Sequence, residues 1–249
     1  MTKFLALAAL FAFAAARPEI FNGTIVPKGK YKYVATIHDE ESGLLVGGAT
    51  LIAPKVLLTA ASCAEEWADL AWIGSHYLRD NTDGERIKVV KRIVHPDYDK
   101  DTSENDVAIF VLETKSNFTP VALNLNDAAT EPGTVSWMRG FGIPGISISE
   151  DEPPVLMEAE VKIWSNDECR KATNSVIFKS NLCAYSADKD PCSYNEGGPL
   201  IIMRGGVEYV AGVLSLGKCN RFKEPSVYTR VSSVYDFIKP FLAIAQPEN

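Results

Sequence analysis

The 249-residue chain carries 25 basic and 32 acidic side chains, for a formal net charge of −7. Nucleic acids and anionic membranes both require a basic protein surface, so this balance argues against either as a partner. A chain of this length can bury a sizeable core, and all-β barrels of this size often form one domain.

Residues 1–16 are predicted to be a secretory signal peptide. Lys3 precedes an apolar run from Phe4 to Ala16 that ends in three alanines, which is the expected order of charge, hydrophobic segment and small residues. A buried N-terminal helix is the alternative. The run is too short to span about 30 Å of bilayer as a helix, and no later segment is longer. We therefore expect a secreted, extracellular protein comprising residues 17–249, with no membrane span.

Short runs of β-branched and aromatic residues then alternate with turn residues along the chain. The first such run carries Val89, Val90, Ile93 and Val94. The later runs span residues 107–112, 161–164, 200–203, 209–216 and 227–231. Short strands at this spacing predict an all-β sandwich or barrel.

Only the C-terminal end is predicted to be helical. Apolar residues recur there at helical spacing, at positions 234, 237, 238 and 241. Ser233 and Asp236 resemble a capping box, and Pro240 should kink or shorten the helix.

Five cysteines in a secreted chain suggest disulfides with one thiol left over, although spacing alone does not fix the pairing. Asn22 and Asn117 each begin an Asn-X-Thr triplet and are candidate glycosylation sites. The three histidines show no metal-ligand spacing, and we expect neither a metal nor a cofactor.

Three segments resemble the signatures of chymotrypsin-like serine proteases. Thr59–Cys63 reads TAASC where the family has TAAHC, residues 105–109 match its acid-bearing segment, and residues 194–199 read YNEGGP where the family has GDSGGP. The resemblance puts Ser62 in the general-base position, Asp106 in the acid position and Glu196 in the nucleophile position.

The resemblance implies two six-stranded antiparallel β-barrels closed by a C-terminal helix. Barrel one would cover about residues 20–125, barrel two about 126–232 and the helix about 233–245. The connection between the barrels would fall around residues 123–133.

The resemblance also implies that the catalytic chemistry is lost. A serine hydroxyl does not accept protons near neutral pH, so Ser62 cannot act as the base. A carboxylate attacking an amide gives an anhydride that collapses back, so Glu196 cannot replace serine. His38, His76 and His95 would all lie on barrel one, away from the cleft. We predict that no catalytic residues remain.

The activation switch of the family is altered as well. Family members are cleaved after a basic residue, and the new terminus pairs with the aspartate before the serine. Glu19 precedes Ile20 in this chain, and Asn195 replaces that aspartate. Tyr194 replaces the glycine of the oxyanion turn, so it is expected to distort that turn.

A partly retained specificity pocket is implied by the same comparison, and so are the disulfide pairs. The vestigial pocket would comprise Asp190, Ser215, Gly217 and Ser226. The implied disulfides are Cys169–Cys183 and Cys192–Cys219. Cys63 lacks its family partner and is either a buried inert thiol or an intermolecular link.

Residues 74–78, 83–90 and 118–124 resemble secreted trypsin-like proteins of oomycetes, a group that includes the glucanase inhibitor proteins. This implies a non-enzymatic binder of a host plant endo-β-1,3-glucanase, with Tyr194, Leu216 and Phe222 close to the binding rim. Leu216 and Phe222 could instead fill the disused pocket. A secreted trypsin-like serine endopeptidase using unfamiliar residues is one alternative function. A decoy that binds protease inhibitors through the retained cleft is another.

Overall fold

The computed structural model describes residues 23–78, 83–141, 155–189, 195–217 and 224–243. Within these residues the chain forms fourteen strands. The strands are β1 (Thr24–Ile25), β2 (Val34–His38), β3 (Leu45–Ala53), β4 (Val56–Thr59), β5 (Leu70–Ile73), β6 (Glu85–Val94), β7 (Ala108–Leu112), β8 (Ala122–Leu123), β9 (Val135–Gly140), β10 (Met157–Trp164), β11 (Asn181–Tyr185), β12 (Pro199–Arg204), β13 (Val207–Leu216) and β14 (Ser226–Arg230).

The strands close into two six-stranded antiparallel barrels, which confirms the predicted fold class. Barrel one has the order β2-β3-β4-β7-β6-β5. Barrel two has the order β10-β11-β14-β13-β12-β9 and closes because β9 also pairs with β10. Two short flanking strands join barrel two, since β1 pairs with β10 and β8 runs parallel to β13.

Alternation of side chains explains why these segments form barrel walls. In β10, Met157, Ala159, Val161 and Ile163 are buried, while the residues between them are charged or aromatic and more exposed. A period of two places one set of side chains inside the barrel and the other set outside. The core of each barrel is built from such inward-facing residues.

A helix between β10 and β11 was not predicted from the sequence. Helix α1 (Asn166–Thr173) begins with a capping box in which Ser165 accepts from the Glu168 N–H and Glu168 accepts from the Ser165 N–H. The expectation that only the C-terminal end is helical is therefore wrong. Cys169 of this helix forms a disulfide with Cys183 of β11, which fixes the helix against barrel two.

The C-terminal segment forms a 3₁₀ turn (Val231–Val234) followed by helix α2 (Tyr235–Leu242). The predicted capping box is wrong, because Val234 precedes the helix and makes no side-chain capping bond. Pro240 lies inside α2, which ends two residues later. The connection between the barrels contains another 3₁₀ turn (Asp127–Thr130), capped by the Asn126 side chain.

A buried arginine joins the two barrels. Arg139 of β9 donates to Glu158 at 3.1 Å and to Glu208 at 2.8 Å, and it also donates to the Tyr33 hydroxyl next to β2. Its guanidinium lies 3.2 Å from the centre of the Tyr31 ring. Only 3% of the Arg139 surface is exposed. A charge buried to this extent is stable only when it is paired and hydrogen-bonded, and these contacts meet that requirement. Among the described residues, no helix has the length and apolar character needed to cross a membrane.

Candidate functional site

The strand order brings Ser62, Asp106 and Glu196, the predicted triad positions, to the contact between the barrels. β4 and β7 are antiparallel neighbours with Thr59 opposite Ala108. The chain leaving β4 therefore lies beside the chain entering β7, and Ser62 meets Asp106. Glu196 arrives from barrel two on the turn before β12, and its carbonyl accepts from the Gly48 N–H of β3 at 2.7 Å.

Asp106 is buried, with 1% of its surface exposed, and its carboxylate is fully engaged. Oδ1 accepts from the Ser62 N–H at 2.8 Å, and Oδ2 accepts from the Ser62 hydroxyl at 3.1 Å. Oδ2 also accepts from the Ser215 hydroxyl at 2.7 Å, and the Asp106 carbonyl accepts from Thr229. Burial raises the pKa of Asp106 above its usual value, while the bonds from Ser215 and Ser62 oppose that rise. The side chain in the base position is thus a hydroxyl donor to this acid.

The turn carrying Glu196 is held by glycine geometry. The Gly198 N–H donates to the Asn195 carbonyl at 2.7 Å, and Gly197 has φ of +86° at the third position, as a type II turn requires. A Cβ on Gly197 would lie 2.2 Å from the Gly48 carbonyl oxygen. Only glycine therefore permits this approach of the turn to β3. Glu196 itself is half-buried.

Asn195, which the sequence comparison aligns with an aspartate, is also buried. Its side-chain oxygen lies so close to β9 that a Cβ on Gly140 would be 2.2 Å from it. A neutral amide therefore fills the space next to β9.

Cys63 lies beneath this site with 3% of its surface exposed, and its Sγ donates to the Glu196 carbonyl at 3.4 Å. Burial raises the pKa of its thiol to about 12, and the carboxylates of Asp106 and Glu196 add to the effect. A neutral, enclosed thiol is a poor nucleophile. The structure therefore favours the buried inert thiol over the intermolecular link.

The three histidines lie elsewhere on barrel one. His38 stacks on Trp72 with ring centres 4.1 Å apart, His76 contacts Tyr77, and His95 contacts Phe237 of α2. Among the described residues, the side chains that donate to the Asp106 carboxylate are those of Ser62 and Ser215. The same residues contain no cluster of acidic, histidine or cysteine side chains able to hold a metal ion.

The predicted specificity pocket is only partly described. Ser215 donates to Asp106 and so belongs to the surroundings of the acid. Ser226 is buried opposite Ala184, and Leu216, just before Gly217, has 42% of its surface exposed. Leu216 therefore has a large part of its side chain at the surface. Several predicted positions fall outside the described residues: Glu19, Asn22, Asp190, Cys192, Tyr194, Cys219 and Phe222.

The two-barrel architecture defines a protein of the trypsin-like fold. The sequence profile of the trypsin family matches residues 20–238. Because this match covers most of the chain, the protein belongs to the trypsin family.

Named relatives narrow the comparison further. The chain is 32% identical to glucanase inhibitor protein 2 of Phytophthora sojae, over 97% of this chain and 86% of the relative. It is 33% identical to glucanase inhibitor protein 2 of Phytophthora infestans, over 89% of this chain and 88% of the relative. It is also 28% identical to mouse vitamin K-dependent protein C, over 90% of this chain and 52% of that longer protein.

Proposed function

We propose that this protein is a secreted, non-catalytic binder that inhibits a plant endo-β-1,3-glucanase. The main observation that supports a non-catalytic role is the set of hydroxyl groups that donate to the Asp106 carboxylate. Acyl transfer needs a base between the acid and the nucleophile, and the group in that position is the Ser62 hydroxyl, which donates to Asp106. The nucleophile position holds a carboxylate, Glu196, on an intact glycine turn.

The inhibitor role rests on the named relatives, which cover nearly all of this chain and are called glucanase inhibitor proteins. A folded scaffold without chemistry can still act through surface contacts, and loops on a rigid barrel carry such recognition well. A standard interface buries roughly 800 Å² on each partner. We assign the binding surface to the loops around the former cleft, where Leu216 is exposed.

The experiment is an inhibition assay with the secreted protein. Purified protein is added in increasing amounts to a plant endo-β-1,3-glucanase, and release of reducing sugar from a β-1,3-glucan is measured. We expect inhibition to saturate at a stoichiometric ratio. Capture from plant extracellular fluid, followed by identification of the partner, tests the decoy alternative, because a decoy would capture a protease inhibitor in place of a glucanase.

A further inference from the structure

A groove between the two barrels lies at the opposite end of β13 from Leu216. Its volume is about 560 Å³, within the range of ligand sites. One wall is formed by Gly29, Tyr31, Lys32 and Tyr33, which precede β2, and by residues 117–122. Val207 and Glu208 of β13 form the other wall. Three of these lining residues, Tyr31, Tyr33 and Glu208, contact Arg139, so the groove lies along the seam between the barrels.

The Asn117-Phe118-Thr119 triplet forms part of the groove wall. All three residues line the groove, and both Asn117 and Thr119 are exposed. The Asn117 amide nitrogen donates to Glu85 Oε1 at 2.8 Å, and its backbone N–H donates to the same carboxylate at 3.0 Å. These bonds fix the direction of the amide at the edge of the groove.

The groove surface suits a carbohydrate. Sugars combine apolar C–H faces with hydroxyl groups, so they pack on aromatic rings and hydrogen-bond to charged side chains. The rings of Tyr31 and Phe118 line the groove together with Lys32 and Glu208. Tyr31 is held at φ of +55°, an uncommon conformation for a bulky residue. Its ring packs against the guanidinium of Arg139, which holds it at the groove.

We propose that an N-linked glycan on Asn117 occupies this groove and covers the seam between the barrels. The oligosaccharide comes from a lipid-linked diphosphate donor. The bond from sugar C1 to the diphosphate breaks, the bond from C1 to Asn117 Nδ2 forms, and the amide proton leaves with the diphosphate. One N–H remains on Nδ2 after the reaction, and this single N–H is enough for the hydrogen bond to Glu85. Attachment at the groove edge keeps the sugar at high local concentration there.

The glycan proposal rests on the proposed secretion. The test is therefore designed so that failure of secretion and failure of the glycan proposal give different results. The protein is expressed in a eukaryotic host with an established secretion leader in place of residues 1–16. The glycan can then be tested even if residues 1–16 do not direct secretion. The matched variants are Thr119→Ser, which keeps the acceptor triplet, and Thr119→Ala, which removes it while leaving Asn117 and Glu85 in place.

Two readouts are taken from each protein. Mass spectrometry before and after enzymatic sugar removal reports occupancy of Asn117. Amine-specific labelling then reports access to Lys32, an exposed lysine that lines the groove, with exposed Lys91 of β6 as the internal control. We expect Lys32 to be labelled several-fold more slowly in the wild type and in Thr119→Ser than in Thr119→Ala, and Lys91 to be labelled equally in all three.

Three outcomes would overturn the proposal. Asn117 without sugar in the secreted wild type excludes the modification. Sugar on Asn117 with unchanged Lys32 labelling means that the glycan points into solvent. Equal shielding of Lys32 with and without sugar means that another surface, such as a second copy of the chain, covers the groove. If Thr119→Ala does not fold, enzymatic deglycosylation of the folded wild type gives the same comparison.

Discussion

Asp106 keeps the hydrogen bonds that hold an orienting carboxylate in place, with donors from Ser62 and Ser215 at 3.1 and 2.7 Å. These two hydroxyls satisfy the buried carboxylate without an imidazole. A buried acid that lost its partners would be costly, so Ser62 and Ser215 contribute to the stability of the fold through these bonds.

Restoring the nucleophile alone is predicted to leave the protein inactive. In Glu196→Ser, the new hydroxyl has no base to take its proton, because Ser62 is a donor to Asp106. Cleavage of arginine and lysine substrates should not exceed the residual rate, about 10³–10⁴-fold over water, of proteases lacking a triad member. The double variant Ser62→His/Glu196→Ser is the informative comparison. Turnover above that level in the single variant would reveal an unrecognised base.

His38 is predicted to make stability pH-dependent. Burial lowers its pKa from 6.5 to about 4, with the Gly43 carbonyl opposing this shift and Arg86 adding to it. Above pH 6.5 the residue is neutral in both states, whereas below it the unfolded chain binds a proton that the folded chain does not. The free energy of unfolding should therefore fall by up to about 3 kcal/mol from this residue as the pH drops from 6.5 to about 4.

Urea unfolding of the wild type and His38→Gln at pH 7 and pH 4 isolates this effect, because Asp106 and the other acids are common to both proteins. The wild type should lose more stability than the variant between the two pH values. Parallel losses in the two proteins would show that His38 does not carry the pH dependence.

Gly197 should tolerate no side chain. It has φ of +86°, and a Cβ there would lie 2.2 Å from the Gly48 carbonyl oxygen. Gly133 has nearly the same φ, +90°, with nothing within 4 Å, so Gly133→Ala measures the backbone cost alone, about 1–2 kcal/mol. Gly197→Ala should cost about 1–3 kcal/mol more by overpacking. Equal losses in denaturant unfolding would mean that the turn moves freely away from β3.

At the scale of elements, the seam between the barrels depends on Arg139. Replacing it with methionine leaves the partly buried carboxylates of Glu158 and Glu208 without their cation, which should cost about 3–5 kcal/mol. Arg170→Met is the matched control, since Arg170 pairs with Asp167 at the surface and should contribute no more than about 1 kcal/mol through that pair. Similar free energies of unfolding for the two variants would contradict a structural role for the buried network.

Some elements could be predicted from the sequence and others could not. The runs at 161–164 and 209–216 lie within β10 and β13. They could be predicted because alternating or continuous apolar residues indicate which side chains of a strand are buried. Helix α1 was missed because it is short and polar, although Ser165 and Glu168 gave a readable capping signal. The contact of Ser215 with Asp106 spans 109 positions and depends on barrel closure, which local patterns do not encode.

At the scale of the whole molecule, the residues alone predicted an all-β sandwich or barrel, and the resemblance carried by three short signatures implied the two-barrel architecture. The family profile over residues 20–238 agrees with that resemblance. The surroundings of the site could be only partly anticipated. The bonds of Asp106 to Ser215 and Thr229 and the enclosure of Cys63 beneath Glu196 are consequences of packing between the barrels.

The binding surface is predicted to include Leu216, which is 42% exposed at the end of β13. Leu216→Ala should weaken the complex with the glucanase at least several-fold without changing the free energy of unfolding, since apolar side chains at an interface centre lose contact area when truncated. Val176→Ala is the control, because Val176 is 66% exposed in the segment after α1. An equal effect of both variants on affinity would place the interface elsewhere.

Isothermal titration of the folded, secreted protein into a panel of plant endo-β-1,3-glucanases tests the central claim most directly. The account predicts saturable binding to at least one glucanase near one-to-one stoichiometry, accompanied by a fall in glucan hydrolysis and by no cleavage of either protein. Absence of binding across the panel would contradict the inhibitor function. Cleavage of the glucanase would contradict the loss of catalysis.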